Sequence, residues 1–127
     1  MILADTDVLI DALHGKEPSA SRISLELASG RLATTSVTAF ELLSGARRPL
    51  QRQRIDALLA AMVILPLDRD AANRAASIRL QLEAEGNPIG TADYLVAGIA
   101  LEHKAILLTR NRGYFERVAG LSLGTLA

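Results

Sequence analysis

Short apolar runs alternate with longer amphipathic segments along the whole chain. Five runs have the length and the aliphatic or β-branched composition of strands: residues 2–4, 32–37, 62–67, 105–109 and 121–123. Pro66 marks the end of the third run, and the last run is short enough for an edge strand. The runs are continuously apolar rather than alternating, a pattern typical of parallel strands that are covered on both faces.

The segments between these runs have helical spacing, with apolar residues three or four positions apart. They predict helices over residues 6–13, 19–28, 38–46, 50–61, 68–84 and 90–103, and one helical turn within 110–118. Gly15, Pro18, Gly30 and Gly45 supply breaks. Strands that alternate with helices from end to end predict an α/β fold, a three-layer α/β/α sandwich with a central parallel sheet of four to five strands. We expect residues 1–127 to form a single domain.

Composition narrows the class of protein. Half of the residues are hydrophobic, which indicates a globular core and argues against a disordered chain. The sequence has no cysteine, no apolar run long enough to cross a bilayer and no signal-peptide pattern, so we expect an intracellular, cytoplasmic protein without membrane contact. The formal net charge is zero, although twelve of the fourteen cationic residues are arginine. Any binding to nucleic acid must therefore come from a local patch.

Four polar residues lie where the carboxyl ends of the predicted strands meet. Asp5 closes the first strand, and Glu41 lies in the first turns after the second. Asn111 follows the fourth strand, and Asp93 opens the helix that leads into it. Open parallel sheets bind their ligands at this edge. If the first strand is central, the four side chains converge on an oxygen-only site that suits hard cations such as Mg²⁺ or Mn²⁺.

Each acid also has an ordinary structural explanation. Asp5, or Asp7 beside it, is well placed to cap the first helix, and Asp93 lies near the start of another. The spacing of Thr38 and Glu41 fits a capping box, in which the glutamate only reaches back to the backbone. Independent caps need not share one edge of the sheet, so the combination favours a functional site.

The opening motif DTDVLID also fits a second chemistry. In phosphatases of the haloacid dehalogenase type, an aspartate at the position of Asp5 attacks phosphorus and one at the position of Asp7 acts as acid and base. Such enzymes need a downstream lysine followed by a pair of acids, and Lys104 is followed by AILLTRNRG, which contains none. Asp11, one helical turn beyond Asp7, is expected to be solvated or a secondary support rather than a ligand.

Taken together, the motifs resemble those of PIN-domain ribonucleases, and specifically of VapC-like toxins from bacterial toxin–antitoxin pairs. The resemblance covers essentially the whole chain. It is carried by four segments: DTDVLID at 5–11, SVTAFELLSGA at 36–46, IGTADYLVAGIALEHKAILLTRN at 89–111 and YFERVAGL at 114–121. The opening motif alone is weak, whereas the spaced set is specific.

The resemblance implies a divalent metal, Mg²⁺ or Mn²⁺, at four catalytic side chains: Asp5, Glu41, Asp93 and Asn111. An asparagine at the fourth position can coordinate through its carbonyl oxygen but adds no charge, which argues against a tightly bound second metal. Asp7 is implied as a secondary ligand or orienting residue. Thr6 and Thr109 are implied as supporting residues that position water or a ligand carboxylate.

The implied reaction is hydrolysis of an RNA phosphodiester by a metal-activated water, which leaves 5′-phosphate and 3′-hydroxyl ends. Candidate contacts to the RNA backbone are arginines near the acids. Arg110 and Arg112 flank Asn111 and are the preferred candidates. A second group surrounds the end of the Glu41 helix: Arg47, Arg48, Arg52 and Arg54.

The implied partners are an RNA substrate, a cognate antitoxin whose tail enters the acidic site, and a second copy of the chain. Apolar helical segments at 40–43 and 58–62 are the candidate dimer surfaces. Two other functions stay open at this point. The chain could be a PIN nuclease outside any toxin system, or a non-catalytic binding module that keeps the acids only as caps.

Overall fold

The computed structural model describes all residues, 1–127, and contains five strands and seven helices. The strands are β1 (Ile2–Ala4), β2 (Leu32–Thr35), β3 (Val63–Leu65), β4 (Ile106–Leu108) and β5 (Ser122–Leu123). The helices are α1 (Thr6–Leu13), α2 (Ser19–Ala28), α3 (Ser36–Ser44), α4 (Pro49–Ala60), α5 (Arg69–Ala84), α6 (Thr91–Glu102) and α7 (Arg112–Phe115). No helix is both long enough and apolar enough to cross a membrane.

The five strands form one parallel sheet in the order β3-β2-β1-β4-β5. Ile2 on β1 is aligned with Leu32 on β2 and with Ile106 on β4, so β1 occupies the centre. The predicted parallel α/β sheet is confirmed, and β5 lies at its edge as expected. Because the carboxyl ends of β1, β2 and β4 meet on one side, the loops that follow them are neighbours.

Alternating side chains of the central strands feed two hydrophobic cores, one on each face of the sheet. Leu3 and Leu107 pack into the core that α5, α6 and α7 cover. Ile2, Ala4 and Leu108 pack into the core on the opposite face, with residues of α1, α2 and α4. The result is the predicted three-layer sandwich, with β1 fully buried between the layers.

Three local predictions need correction. Strand β2 ends at Thr35 and helix α3 begins at Ser36, two residues earlier than predicted. The reason is that Thr35 caps the helix, its side-chain oxygen accepting the backbone N–H of Thr38 at 3.0 Å. Strand β3 is shorter than predicted and is not covered on both faces. Val63 is 56% exposed because β3 is an edge strand.

The packing of α5 against α6 depends on one glycine. A Cβ atom on Gly98 would lie 2.6 Å from the carbonyl oxygen of Ala71 and 2.8 Å from the Cβ of Ala75. Real Cβ atoms do not approach backbone this closely, so only glycine lets α6 lie against α5 at this distance. Small side chains along α5, such as Ala71 and Ala75, complete the contact.

We predict that Gly98→Ala destabilises the fold by about 1–3 kcal/mol, because relief of the clash requires the two helices to separate. This cost exceeds the gain in helix propensity of roughly 1 kcal/mol. The matched control is Gly113→Ala in α7, where an added Cβ meets nothing within 4 Å. Urea unfolding measures both. A Gly98→Ala variant as stable as the Gly113→Ala control would contradict this account of the helix pair.

Candidate active site

Asp5 lies at the centre of the edge of the sheet where the carboxyl ends of β1, β2 and β4 meet. Backbone and side-chain hydrogen bonds hold it there. It follows β1 directly, and its backbone N–H donates to the carbonyl oxygen of Leu108 at 2.9 Å. Its Oδ1 accepts the N–H of Thr6 at 2.8 Å, which makes Asp5 the N-cap of α1. Its Oδ2 accepts the hydroxyl of Thr109 at 2.8 Å. The cap and the site are therefore the same residue, only 7% exposed.

Asp7 lies in the first turn of α1, on the same edge. Its Oδ2 accepts the backbone N–H of Arg110 at 3.1 Å and lies 3.5 Å from the hydroxyl oxygen of Thr109. Its Oδ1 is buried and has no hydrogen-bond partner. A buried carboxylate oxygen without a partner is costly, so this atom is available to a ligand.

Glu41 reaches the edge from α3. Its Oε1 accepts the hydroxyl of Thr6 at 2.7 Å, and the Thr6 oxygen lies 3.0 Å from the hydroxyl oxygen of Thr38. The capping-box alternative for Thr38 and Glu41 is wrong, because Thr38 lies inside α3 and Thr35 is the cap. Glu41 is thereby turned toward α1 rather than toward its own backbone.

Asp93 lies in the first turn of α6 and opens onto the same edge. Its carboxylate lies beside the backbone of Gly90, the N-cap of that helix, which lowers the pKa of Asp93 against the larger effect of burial. A Cβ on Gly90 would lie 3.0 Å from Oδ2 of Asp93, so a larger residue at this position would crowd the carboxylate. Asp93 is near enough to Glu41 and Asp7 for their charges to affect its ionisation.

Asn111 is held at this edge of the sheet by its backbone. Its N–H donates to the hydroxyl oxygen of Thr109 at 3.0 Å, and its amide side chain makes no hydrogen bond. Thr109 thus accepts from Asn111 and donates to Asp5, which fixes the direction of its own proton. Thr109 is fully buried at the end of β4.

Burial and repulsion between the acids raise the pKa values of three carboxyl groups at this edge. Burial, and then the charge of Asp7, raise the pKa of Asp5 from 3.8 to about 6, against the opposing effect of the bonds from Thr109 and Thr6. Burial is also the main cause that raises the pKa of Asp7 and of Asp93. Nearby acids add to all three shifts. The edge therefore carries unpaired negative charge in a region of low dielectric.

This donor set fits a hard divalent cation. Every side-chain donor is an oxygen, and one of them, Oδ1 of Asp7, is buried without a partner. No group of three His, Cys, Asp or Glu side chains is arranged to hold an ion by itself. A cation here would therefore take water or phosphate oxygens among its ligands, as Mg²⁺ commonly does.

The preferred arginines are engaged by acids of the chain itself. The guanidinium of Arg110 lies 3.0 Å from Oδ2 of Asp11, and that of Arg112 lies 3.7 Å from Oε1 of Glu116. Asp11 is therefore largely buried and supports Arg110, so the alternative of a solvated Asp11 is wrong. Arg52 pairs in the same way with Asp56.

Some arginines of the chain have no acid partner. Seven of the twelve arginines are ion-paired, and Arg117 donates to the carbonyl oxygen of Pro88. The remaining four have no ion pair: Arg47, Arg48, Arg54 and Arg69. Three of these lie near the beginning of α4: Arg47 and Arg48 precede the helix, and Arg54 lies in its first half.

Two hydroxyls near the edge were not predicted as site residues: Thr34 was not considered, and Thr38 was considered only as a helix cap. Thr38 lies against Thr6, and Thr34 donates to the carbonyl oxygen of Ala4 at 2.7 Å, one residue before Asp5. Both are fully buried. The signal was present in the run TTSVT, which carries four hydroxyls just where the second strand meets its helix.

Comparison with known proteins assigns the family. The family model described as PIN domain matches residues 2–121. The tRNA(fMet)-specific endonuclease VapC of Shigella flexneri is 32% identical over 123 residues, covering 94% of this chain and 92% of that protein. DNA-bound VapBC from Salmonella typhimurium matches with a TM-score of 0.84 at 26% identity, covering 99% of this chain and 98% of that one. A toxin–antitoxin complex from Klebsiella pneumoniae matches with a TM-score of 0.80 at 26% identity, covering 100% and 98%. The chain therefore belongs to the PIN domain family, in the branch that contains the VapC ribonucleases.

Proposed function

We propose that this protein is a metal-dependent endoribonuclease that acts in the cytoplasm as the toxin of a toxin–antitoxin pair. The observation that carries the proposal is the convergence of four carboxylates, with raised pKa values at three of them, on one edge of the sheet. Relatives named as VapC ribonucleases and a tRNA-specific endonuclease support the choice of RNA as substrate.

The metal would be Mg²⁺ or Mn²⁺, held by Asp5 and Asp93 with Asp7 and Glu41 close by. Asn111 would contribute only its amide oxygen. When bound, such a cation lowers the pKa of a water molecule and stabilises negative charge on the phosphate and the leaving oxygen. The products would then carry 5′-phosphate and 3′-hydroxyl ends.

The residues of the chain orient the ligands before any cation arrives. Thr6 N–H and the Thr109 hydroxyl each hold one oxygen of Asp5, which fixes the plane of its carboxylate. The Thr6 hydroxyl holds Glu41 in the same way. Supporting hydrogen bonds of this kind usually set the geometry of a metal site. Thr6 therefore serves two acids, one through its backbone and one through its side chain.

The RNA backbone would contact unpaired arginines. Arg47, Arg48 and Arg54 have no acid partner and lie beyond α3, the helix that carries Glu41. Arginines free of intramolecular pairs bind phosphate without first breaking a salt bridge. Arg110 and Arg112 remain candidates, although each already shares its charge with an acid of the chain.

The proposed partners are a cognate antitoxin, in a hetero-oligomer, and a second copy of the chain. The Klebsiella pneumoniae structure to which this chain is similar is a toxin–antitoxin complex, which supports the first of these. Phe40 is 69% exposed on α3 and offers an apolar contact. Leu42 and Met62, within the segments considered for dimerisation, are mostly buried in the core, so neither forms an exposed dimer surface.

Membership of the PIN family argues against the phosphatase alternative. Both carboxylate oxygens of Asp5 already accept hydrogen bonds, which suits a ligand with a fixed orientation better than an attacking nucleophile. A PIN nuclease outside a toxin system would have the same site. It would differ in lacking an antitoxin that is encoded and bound together with it.

We predict that Asp5→Asn and Asp93→Asn each lower RNA cleavage by more than about 100-fold, since both remove a charge that would hold the cation. Cleavage is measured by mapping ends in total RNA after brief induction, with wild-type products carrying 5′-phosphates. Glu83→Gln, a surface acid on α5, is the control and should cleave normally. Cleavage that survives EDTA, or that persists in both variants, would refute the proposal.

We predict that Thr109→Val lowers kcat by about 10–100-fold, because it removes the hydroxyl that orients Asp5. Thr109→Ser keeps the hydroxyl and should restore most of the activity. Single-turnover cleavage of a defined RNA at saturating Mg²⁺ separates this effect from weaker substrate binding. If the valine and serine variants are equally active, the hydrogen bond to Asp5 is not part of the mechanism.

We predict that the metal-free protein gains stability as pH falls from 7 toward 5. The folded state takes up a proton on Asp5 near pH 6, whereas the unfolded chain does so only near 3.8, so protonation favours folding in between. Asp5→Asn should therefore be more stable than wild type at pH 7, by about 1–3 kcal/mol, with a smaller difference at pH 5. Mg²⁺ should raise the melting temperature of wild type only. An Asp5→Asn variant less stable than wild type at pH 7 would show that the acids are compensated.

A further inference from the structure

A cleft of about 420 Å³ opens beside Glu41, between α1, α3 and α4. Its apolar walls are Ile10 and Leu13 from α1, with Leu42 and Ile55 from α3 and α4. Glu41, one of the candidate ligands, forms part of its lining. A molecule that fills the cleft is thus next to the acidic edge.

The polar groups of the cleft are mainly hydrogen-bond donors. Oε1 of Gln51 accepts the backbone N–H groups of Arg47 and Arg48, both at 3.2 Å, which leaves its amide N–H groups for a ligand. Arg54 lines the cleft and has no ion pair, and His14 lies at the end of α1. Donors of this kind suit carbonyl oxygens of a base and oxygens of a phosphate.

The charge around the cleft favours a polyanion over an apolar peptide. Three arginines without acid partners lie on its α4 side, and two of them, Arg47 and Arg48, are tied to its lining through Gln51. Aliphatic walls can cover the faces of a flat ring, as apolar side chains do in pockets that hold an extruded base. A base that is paired within a duplex cannot enter such a cleft.

We propose that this cleft is a base-binding subsite for one unpaired RNA nucleotide next to the phosphodiester that is cut. The inference rests on the proposed ribonuclease function and extends it. Glu41 places the subsite beside the reacting phosphate, and the unpaired arginines hold the phosphates that flank the bound nucleotide. The protein then selects single-stranded or loop positions, because only there can a base leave the stack.

Gly45 allows the cleft to be filled without strain on the backbone. It lines the cleft, its φ is −86°, and a Cβ there would meet only carbonyl oxygens of Glu41 and Leu42, at 3.6 and 3.7 Å. Gly45→Leu therefore obstructs the cleft, and Gly45→Ala is the matched control. Ile10→Trp, from the half-exposed wall on α1, obstructs it independently should the first variant fold poorly.

The test is a double-mutant cycle in which a substitution in the protein is combined with removal of one base from the RNA. A hairpin RNA cut in its loop is compared with copies that carry a single abasic ribose at each nucleotide flanking the cut. Wild type should lose about tenfold in kcat/KM at one abasic position, and Gly45→Leu should lose about as much on intact RNA. At that position Gly45→Leu should lose nothing further, since the contact is already gone. Gly45→Ala, which fills less of the cleft, should lose less than Gly45→Leu, and Glu83→Gln on the surface of α5 should match wild type.

Other outcomes overturn the inference. If the loss in kcat/KM from Gly45→Leu multiplies with the loss from every abasic position, no base occupies the cleft. The same follows if Gly45→Leu cuts intact RNA normally. If that variant cuts normally but escapes inhibition by the antitoxin, the cleft is a peptide site instead. A wild-type protein that cuts no RNA defeats the proposed function itself, whereas a wild type that cuts but ignores abasic positions defeats only the subsite.

Discussion

The hydrogen bond from the Thr109 hydroxyl to Asp5 joins the ends of two neighbouring strands, and the acidic edge depends on it. The backbone adds a second tie, since Asp5 N–H donates to Leu108 immediately before Thr109. Two parallel strands in register bring these residues together only if β1 and β4 are adjacent. The backbone N–H of Asn111 donates to the same hydroxyl oxygen. One buried threonine thus couples the sheet order to the orientation of the central acid.

Holding the acids in this way works against the stability of the fold. Burial raises the pKa of Asp5, Asp7 and Asp93, which means that each charge is less stable here than in water. Functional sites commonly carry such a cost, and the remainder of the structure offsets it. Here the offset lies in two well-packed cores and in the close contact of α5 with α6 at Gly98. The acidic site therefore lowers the stability of the fold and the two cores raise it, although both depend on strand β1.

The sequence predicted the sheet, its layers and the edge at which the acids meet, because apolar periodicity reports burial directly. It misplaced the start of α3, since the hydroxyls of Thr35 and Thr38 are equally suited to a strand end, a cap or a helix interior. It also left open whether Asp11 is solvated. A helix position one turn from Asp7 does not reveal that Arg110, ninety-nine residues later, will cover it. Pairing between distant charged side chains depends on three-dimensional register, which local pattern does not contain.

The three-dimensional arrangement of charges also explains why a net charge of zero is a poor guide to what this protein binds. Acids and arginines are not mixed evenly: four carboxylates share one edge, and three unpaired arginines lie beyond Glu41 on the α4 side. For the proposed substrate, these groups have opposite effects, because the acids repel phosphate while the arginines attract it. A cation at the edge would remove the repulsion, and bound RNA would in turn supply the oxygen ligands that the protein lacks. Binding of metal and of RNA would then each strengthen the other by the same factor.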